Sequence, residues 1–255
     1  MKKLTITNSI FMMIMMLVSC GKSDTTDPLK LYSQLSLKQA PNSLSSKEKK
    51  NGWQLLFDGK TTGGWRGYNM TSFPDSWAIE DGCFTMNTTG GAESQDIIND
   101  KKYKSFALSV EYKLTKGANS GVIYQIAEDT IYKFPYETGP EVQVIDHEGW
   151  TGPEKLEEWQ INGANYAMYP PLVKPYKPVG EWNHLLLVVD GNKVTQILNG
   201  ETIVKYEKYS DEWNKLRNSG KWVNFPDWGK YDEGYFSLQN HGTKVWYRNI
   251  KLKEL

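Results

Sequence analysis

The sequence predicts an all-β sandwich of antiparallel sheets. About ten short apolar or alternating segments follow residue 50, and Asp-Gly or Asn-Gly pairs separate several of them. Such pairs adopt the backbone conformation that tight hairpins require. No long stretch repeats its apolar residues with the helical period of about 3.6 residues. Together these observations favour a β sandwich over a mixed α/β fold.

Three segments open the predicted domain. Residues 53–60 form an apolar run that ends in a turn, and residues 76–86 form two short runs around Asp81-Gly82, which predicts a hairpin. Apolar and polar residues alternate along residues 105–114. Because successive side chains of a strand point to opposite faces, the apolar residues at even positions 106–112 share one face and the polar residues at odd positions 109–113 share the other.

The remaining strands are predicted at residues 121–126, 141–145, 184–189, 193–198, 202–206, 235–239 and 244–252. The turn pairs Asp190-Gly191 and Asn199-Gly200 join three of them into a meander. The one helix-like segment, residues 210–217, lies in an insertion before the last two strands.

The N-terminus resembles a lipoprotein signal peptide over residues 1–19. Its apolar run, residues 10–18, is too short to span a hydrocarbon core of roughly 30 Å. The sequence Leu17-Val18-Ser19-Cys20-Gly21 resembles a bacterial lipobox, in which Cys20 is lipidated. No acidic cluster follows Cys20. We therefore expect an outer-membrane lipoprotein that faces the periplasm rather than the cell surface and contacts the membrane through its N-terminal lipid only.

Residues 20–50 are polar and show little periodicity. They are predicted to be a flexible tether, although the leucines between residues 29 and 37 could form a short helix. The folded domain is predicted to cover residues 51–255.

Composition excludes several classes of function. Thirty Lys and Arg balance thirty Asp and Glu without a basic run, which argues against a nucleic-acid partner. Two cysteines exclude a disulfide framework and a Cys-rich zinc site.

Two strands are predicted to carry polar side chains on their outward faces. Period two sends Val142 and Val144 to the core, so Glu141 and Gln143 face the opposite side, with Asp146 and His147 in the loop beyond. By the same rule Phe236 and Leu238 are core residues, and Gln239 and His241 point outward beside Asn240. An open solvated face would give the same pattern.

The histidines and aromatic residues add further candidates. His184 is predicted to be structural, whereas His147 and His241 are candidate acids, bases or metal ligands. Glu141, His147 and His241 could together bind a divalent metal ion, the one cofactor considered, although no tight ligand motif supports it. Trp150 and Tyr124 could stack on a sugar ring. Core positions are predicted for Trp53, Trp65, Trp77, Trp182 and Trp246.

Nine motifs, in order, resemble the DUF1080 family, the 3-keto-disaccharide hydrolases. They are LFDGK (56–60) with GW (64–65), WAIEDG (77–82), NSGVIY (119–124), GPEVQVID (139–146), GANY (163–166), GEWNH (180–184), LNG (198–200), LQNHG (238–242) and YRNI (247–250). The resemblance covers residues 52–255. It implies a concanavalin A-like jelly roll of two curved sheets and a hydrolase or lyase acting on 3-keto-glycosides. Gln125 and Ala167 depart from the residues frequent in the family.

The chemistry that the resemblance implies suits these residues. A ketone at C3 acidifies the proton at C2, so a base can form an enolate that expels the substituent at C1, and water then adds. We expect Glu141 or His147 to be the base and His241 the acid or a ligand of the electrophile. Gln143 and Gln239 would hold sugar hydroxyls, and Asp146, Asn240, Tyr124 and Trp150 would complete the substrate contacts.

Three alternatives remain open from the sequence. A carbohydrate-binding module without catalysis could use the same sandwich. A conventional glycanase of the same fold would need two carboxylates, and Gln143 departs from that pattern. A structural surface protein is the third.

Overall fold

The computed structural model describes residues 26–86 and 94–255, so the predicted signal peptide and Cys20 lie outside the described residues. Within these ranges the chain forms three α-helices and thirteen strands. The helices are α1 (Pro28–Gln34), α2 (Ser46–Lys50) and α3 (Asp211–Arg217), and short 3-10 turns cover Pro135–Glu137, Glu158–Gln160 and Gly220–Asn224. The strands are β1 (Gln54–Leu55), β2 (Trp65–Gly67), β3 (Trp77–Glu80), β4 (Cys83–Met86), β5 (Ile97–Asn99), β6 (Phe106–Leu114), β7 (Asn119–Ile126), β8 (Glu141–Ile145), β9 (Trp182–Asp190), β10 (Lys193–Leu198), β11 (Glu201–Glu207), β12 (Tyr235–Leu238) and β13 (Val245–Glu254).

The strands form two antiparallel sheets, which confirms the predicted all-β sandwich. The larger sheet has the order β11-β10-β9-β6-β13-β4-β3, and β1 also pairs with β13. The smaller sheet has the order β2-β5-β12-β7-β8, so β8 lies at its edge.

The predicted hairpin at Asp81-Gly82 and the meander of β9, β10 and β11 are confirmed. The helix α3 is confirmed too, with the Ser210 hydroxyl accepting a hydrogen bond from the Trp213 amide. Strands β2 and β5 were not predicted. Each has only three residues, too few for a period of two to stand out in the sequence, and all three residues of β5 are buried.

The main core lies between the two sheets. The apolar residues of β6 predicted to share a face all belong to it, together with Val142 and Val144 of β8 and Phe236 and Leu238 of β12. Aromatic rings fill much of the space. Phe57 stacks on Phe84 at 3.7 Å between ring centroids. Burial of this apolar surface is the main force that holds the sheets together.

The predicted flexible tether is wrong for residues 27–50, and the short helix considered among the leucines of residues 29–37 is confirmed as α1. Leu31 of α1 is fully buried, and Leu35 packs with it against Leu186, Val188 and Ile197 on the outer face of the larger sheet. The leucines gain more by covering that apolar face than the segment loses in chain entropy. No helix among residues 26–86 and 94–255 is long and apolar enough to cross a membrane.

A buried ion pair fixes the second half of this segment. Lys251 of β13 donates a hydrogen bond of 2.7 Å to Glu48 Oε1, and both side chains are almost completely buried. Burial alone would raise the pKa of Glu48. Hydrogen bonds from Lys251 and from the backbone amides of Ser36 and Ser45 outweigh that effect, and the pKa of Glu48 is lowered.

The predicted core positions of Trp182 and Trp246 are wrong. Both are only partly buried, and they flank Lys113, whose Nζ lies 5.1 and 4.4 Å from their ring centroids. Arg248 stacks on Trp182 at 3.8 Å. Because Trp182, Lys113 and Trp246 lie opposite one another on neighbouring strands, the rings pair with cations on the outer face instead of entering the core.

We expect Lys251→Met to lower the free energy of unfolding by about 3–5 kcal/mol, because it leaves the Glu48 carboxylate buried without its partner. The double variant Lys251→Met/Glu48→Gln should recover at least half of that loss. The control Lys205→Met removes an exposed lysine of β11 and should have little effect. Urea unfolding at pH 7 measures all four proteins.

The loss in Lys251→Met should shrink with acidification, because the stability from the ionised Glu48 is present above the carboxyl's ordinary pKa and is lost as pH falls through its lowered pKa. A loss in Lys251→Met no greater than that in Lys205→Met would contradict the role of the pair.

Candidate active site

A cavity of about 400 Å³ lies on the face of the smaller sheet that points away from the core. Its floor comes from β7, β8 and the residues after β12. Its walls come from the loops that carry Tyr136, Trp150, Tyr166 and Lys221. The volume falls within the range of small-molecule sites.

Glu141 lies on the floor of this cavity and is only 4% exposed. Its neighbour Val142 points into the core, as the alternation predicted. The adjacent strand makes room for the carboxyl through Gly121, where a Cβ atom would lie 2.8 Å from Cγ and Cδ of Glu141. The glycine is therefore a steric requirement for a buried carboxyl here.

Gln143 orients that carboxyl. Its amide faces two acceptors, Glu141 Oε1 at 3.1 Å and the Ser120 carbonyl oxygen at 3.0 Å, so the amide nitrogen is the atom that donates to both. Gln143 also lines the cavity.

Burial raises the pKa of Glu141 to about 8, and the Asp96 carboxyl adds to the increase while the Lys221 ammonium opposes it. Burial likewise lowers the pKa of Lys221, and Glu141 opposes that change. Glu141 is therefore a stronger base than an exposed glutamate, and a cation lies near it.

Lys221 is surrounded by three aromatic rings. Its Nζ lies 4.5 Å from the ring centroid of Tyr166, 4.7 Å from that of Tyr136 and 4.9 Å from that of Trp222. Contacts with ring faces stabilise an ammonium without using its N–H groups fully. Nζ makes no hydrogen bond within the described residues, so its N–H groups are available to a ligand in the cavity.

A column of tryptophans holds Lys221 at the cavity. Trp222 stacks on Trp228 at 4.3 Å between centroids, and Trp228 stacks on Trp213 of α3 at 5.8 Å. All three are buried. Sequence reasoning missed Lys221 because it lies in an insertion without strand periodicity. The density of tryptophans in that insertion was the available signal that it packs on the domain.

Five of the residues predicted for the site line this cavity. They are Glu141, Gln143, Trp150, Gln239 and His241. The Gln239 side-chain amide makes no hydrogen bond within the described part of the chain. Asn119, which was not predicted, also lines the cavity, and its buried Oδ1 has no hydrogen-bond partner among residues 26–86 and 94–255. These groups can receive hydroxyls of a polar ligand.

The prediction that Tyr124 stacks on substrate is wrong. The residue is fully buried in the main core, where its hydroxyl shares a hydrogen bond with the Tyr206 hydroxyl. It occupies the same parity of β7 as the core residue Val122, so period two already predicted an inward side chain.

Asp146 and His147 do not line the cavity. Asp146 accepts hydrogen bonds from the amides of Gly117 at 2.7 Å and Gly149 at 3.1 Å, so it closes the loop after β8. His147 Nε2 hydrogen-bonds the Tyr176 hydroxyl at 3.0 Å, and the two rings meet edge to face. Burial lowers the pKa of His147. Asp146 and His147 therefore lie outside the cavity, which corrects their predicted roles.

The predicted metal set is not assembled. Glu141 and His241 line the cavity but His147 does not, and residues 26–86 and 94–255 contain no group of three or more His, Cys, Asp or Glu suited to a metal ion. The donors present do not fit the expected ion, so no step below involves one.

Asn240 lies at a neighbouring cavity, and its side chain has structural partners. Its Nδ2 donates to the Ser76 carbonyl oxygen, and its Oδ1 accepts from the Gly242 amide. His184 is structural as predicted, since its buried ring shares a hydrogen bond of 2.8 Å with the Ser109 hydroxyl.

Neither residue that departs from the family pattern lines the cavity. Gln125, near the end of β7, is buried, and its Oε1 accepts from Lys208 Nζ at 2.9 Å. The resemblance implies that an arginine is frequent at position 125. In this chain the buried ammonium of Lys208 lies against the Gln125 side chain instead. Ala167 is partly buried against the main core. The two departures therefore leave the lining of the cavity unchanged.

The chain is similar to known proteins over most of its length. The profile of the 3-keto-alpha-glucoside-1,2-lyase-like domain matches residues 52–253. A 3-keto-disaccharide hydrolase from Bacteroides thetaiotaomicron is 34% identical over 250 residues, which cover 88% of this chain and 86% of that protein.

Solved structures show the same similarity. A proposed glycosyl hydrolase from Parabacteroides distasonis is 39% identical with a TM-score of 0.79, covering 85% of this chain and all of that one. A second proposed glycosyl hydrolase from the same organism is 26% identical with a TM-score of 0.62, and the match covers 80% of this chain and 99% of that one.

We expect Lys221→Met to move the titration of Glu141 to higher pH, because the ammonium favours the ionised carboxylate. Carboxyl carbon NMR of the glutamate side chains measures the change. The control Lys221→Arg keeps a cation in the cage and should leave the titration closer to that of the original protein. A Glu141 titration that is unchanged or moves to lower pH in Lys221→Met would contradict the coupling.

Proposed function

We propose that this chain, which belongs to the 3-keto-disaccharide hydrolase family, cleaves 3-keto-glycosides with Glu141 as the base. A glycoside-hydrolase-like function follows from the family, and the keto substrate and the mechanism are our proposal. The observation that supports them best is one cavity that contains a buried carboxyl of raised pKa and a caged ammonium with available N–H groups.

In the proposed reaction Glu141 removes the proton at C2 of the sugar. The electrons of that C–H bond form an enolate with the C3 carbonyl, and the Lys221 ammonium donates hydrogen bonds to the enolate oxygen. The enolate collapses and breaks the bond between C1 and the leaving oxygen, which takes a proton from His241. Water then adds at C1 and gives one proton to His241, which restores the acid. The proton held by Glu141 returns to C2, so the net reaction is hydrolysis.

Glu141 and His147 were the two candidates for the base, and the geometry favours Glu141. Glu141 lies in the cavity with a pKa of about 8, which suits removal of a weakly acidic proton at neutral pH. His147 lies outside the cavity and is engaged by Tyr176. We expected an electrophile, bound in part by His241, to stabilise the enolate oxygen. In the proposed reaction the Lys221 ammonium has that role instead, and His241 is the acid. Gln143, Gln239 and Trp150 remain the proposed sugar contacts.

We also propose that the mature protein is a lipoprotein attached through Cys20 at the periplasmic face of the outer membrane. The proposal rests on the lipobox-like residues 17–21. A carbohydrate is then the only partner besides the membrane that we propose.

We expect Glu141→Gln to lower kcat for a 3-keto-glucoside by about 10²–10⁴-fold, because the amide cannot remove the C2 proton. The Tm should stay the same or rise, since the variant removes a buried ionisable group. Release of the aglycone is followed by chromatography, with the unoxidised glucoside as the control substrate.

Release from the unoxidised glucoside at a rate similar to that from the keto substrate would contradict the enolate route and favour a conventional glycosidase. Binding of both sugars without release of an aglycone from either would favour a carbohydrate-binding module.

Glu141 and Lys221 both contribute to the pH dependence of kcat/KM. We expect kcat/KM to rise with pH up to about 8, because Glu141 must be ionised to act as a base, and to fall at higher pH as Lys221 loses its proton. In Lys221→Arg the alkaline fall should move to higher pH, because a guanidinium keeps its proton. An alkaline limb unchanged by this substitution would argue against Lys221.

A further inference from the structure

A cavity of about 300 Å³ lies on the outer face of the larger sheet, on the side of the sandwich opposite the candidate active site. Residues of the GEWNH, LNG and YRNI motifs line it, and the proposed reaction assigns none of them a role. Its volume lies at the small end of the range of small-molecule sites. The cavity is therefore a second candidate binding site, separate from the one that contains Glu141.

Three neighbouring strands supply one side of this outer-face cavity. Arg248 of β13 lies opposite Glu111 of β6, and Glu111 lies opposite His184 of β9. Val110 and Tyr112, the neighbours of Glu111 along β6, are core residues, so Glu111 and the two residues paired with it point outward. A guanidinium, a carboxylate and an imidazole thus form one row across the outer face.

Arg248 is oriented before any ligand binds. Its Cζ lies 3.8 Å from the ring centroid of Trp182, and its Nε donates a hydrogen bond of 2.7 Å to Glu111 Oε2. The other carboxylate oxygen, Oε1, accepts from Asn249 Nδ2 at 2.8 Å. Nη1 and Nη2 of Arg248 make no hydrogen bond within residues 26–86 and 94–255, so they are available to a ligand. Two N–H groups on one planar guanidinium match the two oxygens of a carboxylate.

Lys177 gives the outer-face cavity a net positive charge. Its exposed ammonium makes no hydrogen bond or ion pair within the described part of the chain. Burial lowers the pKa of His184 to about 3, and the ammonium groups of Lys251 and Lys177 add to the decrease, so the imidazole is neutral near pH 7. Two positive charges, from Arg248 and Lys177, and one negative charge, from Glu111, leave one net positive charge in the lining. That balance suits an anion of one charge, such as a carboxylate, better than a phosphate dianion.

Hydrogen bonds fix the backbone that carries Lys177. Asn183 Oδ1 accepts from the Lys177 amide at 2.8 Å, and Asn199 Nδ2 donates to the Pro175 carbonyl oxygen at 2.8 Å. Asn199 Nδ2 also donates to Asn183 Oδ1 at 2.9 Å. Only the side chain of Lys177 therefore has to become ordered when a ligand binds, which limits the entropic cost of binding.

Polar and aromatic groups beside these cations suit a hydroxylated ring. The His184 ring shares a hydrogen bond with Ser109 through Nε2, whereas its Nδ1 is buried with no partner among residues 26–86 and 94–255. Buried polar atoms usually have a partner. Tyr32 of α1 lies 5.2 Å from the His184 ring between centroids, and its hydroxyl makes no hydrogen bond within the same residues. A ligand with hydroxyls as well as a carboxylate can use both groups.

We infer that the outer-face cavity binds an acidic sugar, a uronate, whose carboxylate accepts hydrogen bonds from Arg248 and lies near the Lys177 ammonium. The inference does not depend on the proposed reaction, because neither cation lies at the cavity of Glu141. Tyr32 and Leu37 of the docked N-terminal segment also line the outer-face cavity, so the site is complete only while that segment is docked.

Calorimetric titration of the full chain at pH 7 tests the inference with glucuronate, glucose and glucose 6-phosphate. Glucose has the same ring without the carboxylate, and glucose 6-phosphate places a phosphate at the same carbon. We expect glucuronate to bind at least about tenfold more tightly than either of the other two sugars.

Two variants locate the binding. Arg248→Lys keeps a cation beside Glu111 but lacks the planar pair of N–H groups, and we expect it to raise the Kd of glucuronate about tenfold. Lys177→Met removes an exposed ammonium and should raise that Kd about three- to tenfold without changing the Tm. The control Lys205→Met removes an exposed lysine of β11 that does not line the cavity, and it should leave the Kd unchanged.

Glucose or glucose 6-phosphate binding as tightly as glucuronate would overturn the inference. Equal Kd values for the original protein, Arg248→Lys and Lys177→Met would also overturn it, because the uronate would then bind elsewhere. The same holds if the original protein binds no glucuronate at concentrations up to about 10 mM. If Arg248→Lys does not fold, Lys177→Met decides, since its side chain lies at the surface.

Discussion

The pairing of β7 with β8 is the constraint on which the rest of the candidate site depends. Val142 of β8 lies opposite Val122 of β7, and these valines anchor the strand edge in the core. Once they point inward, Glu141 and Gln143 must point outward. Gly121 lies opposite Gln143 and leaves the space that the Glu141 carboxyl occupies. A register shift of one residue would bury the polar pair in the core and empty the cavity of its base.

That arrangement lowers stability in exchange for reactivity. A carboxyl with so little access to water is costly to ionise, and its cationic neighbour Lys221 is itself partly desolvated. Neither group would stay in position on a mobile loop. The stacked tryptophans Trp213, Trp222 and Trp228 supply the apolar burial that keeps the insertion, and with it the ammonium, against the sheet.

Most strands of the fold and one side of the site were predictable from the sequence because they follow a period of two. Glu141, Gln143 and Gln239 were identified by that rule alone. The same rule, applied to β7, would have moved Tyr124 into the core. Lys221 and Asp96 were not predictable in this way. Lys221 lies in an insertion, and Asp96 precedes β5, a buried strand of three residues. Tertiary packing brings both residues near Glu141.

The docking of the N-terminal segment has a consequence for how the enzyme would meet its substrate. The segment lies on the outer face of the larger sheet, whereas the cavity opens on the outer face of the smaller sheet. With Cys20 lipidated as proposed, residues 21–27 are the only link between the lipid and α1, and seven residues reach about 25 Å at most. The domain would then be held close to the bilayer, with the larger sheet facing the membrane. The cavity on the smaller sheet would open toward the periplasm, where sugars arrive by diffusion.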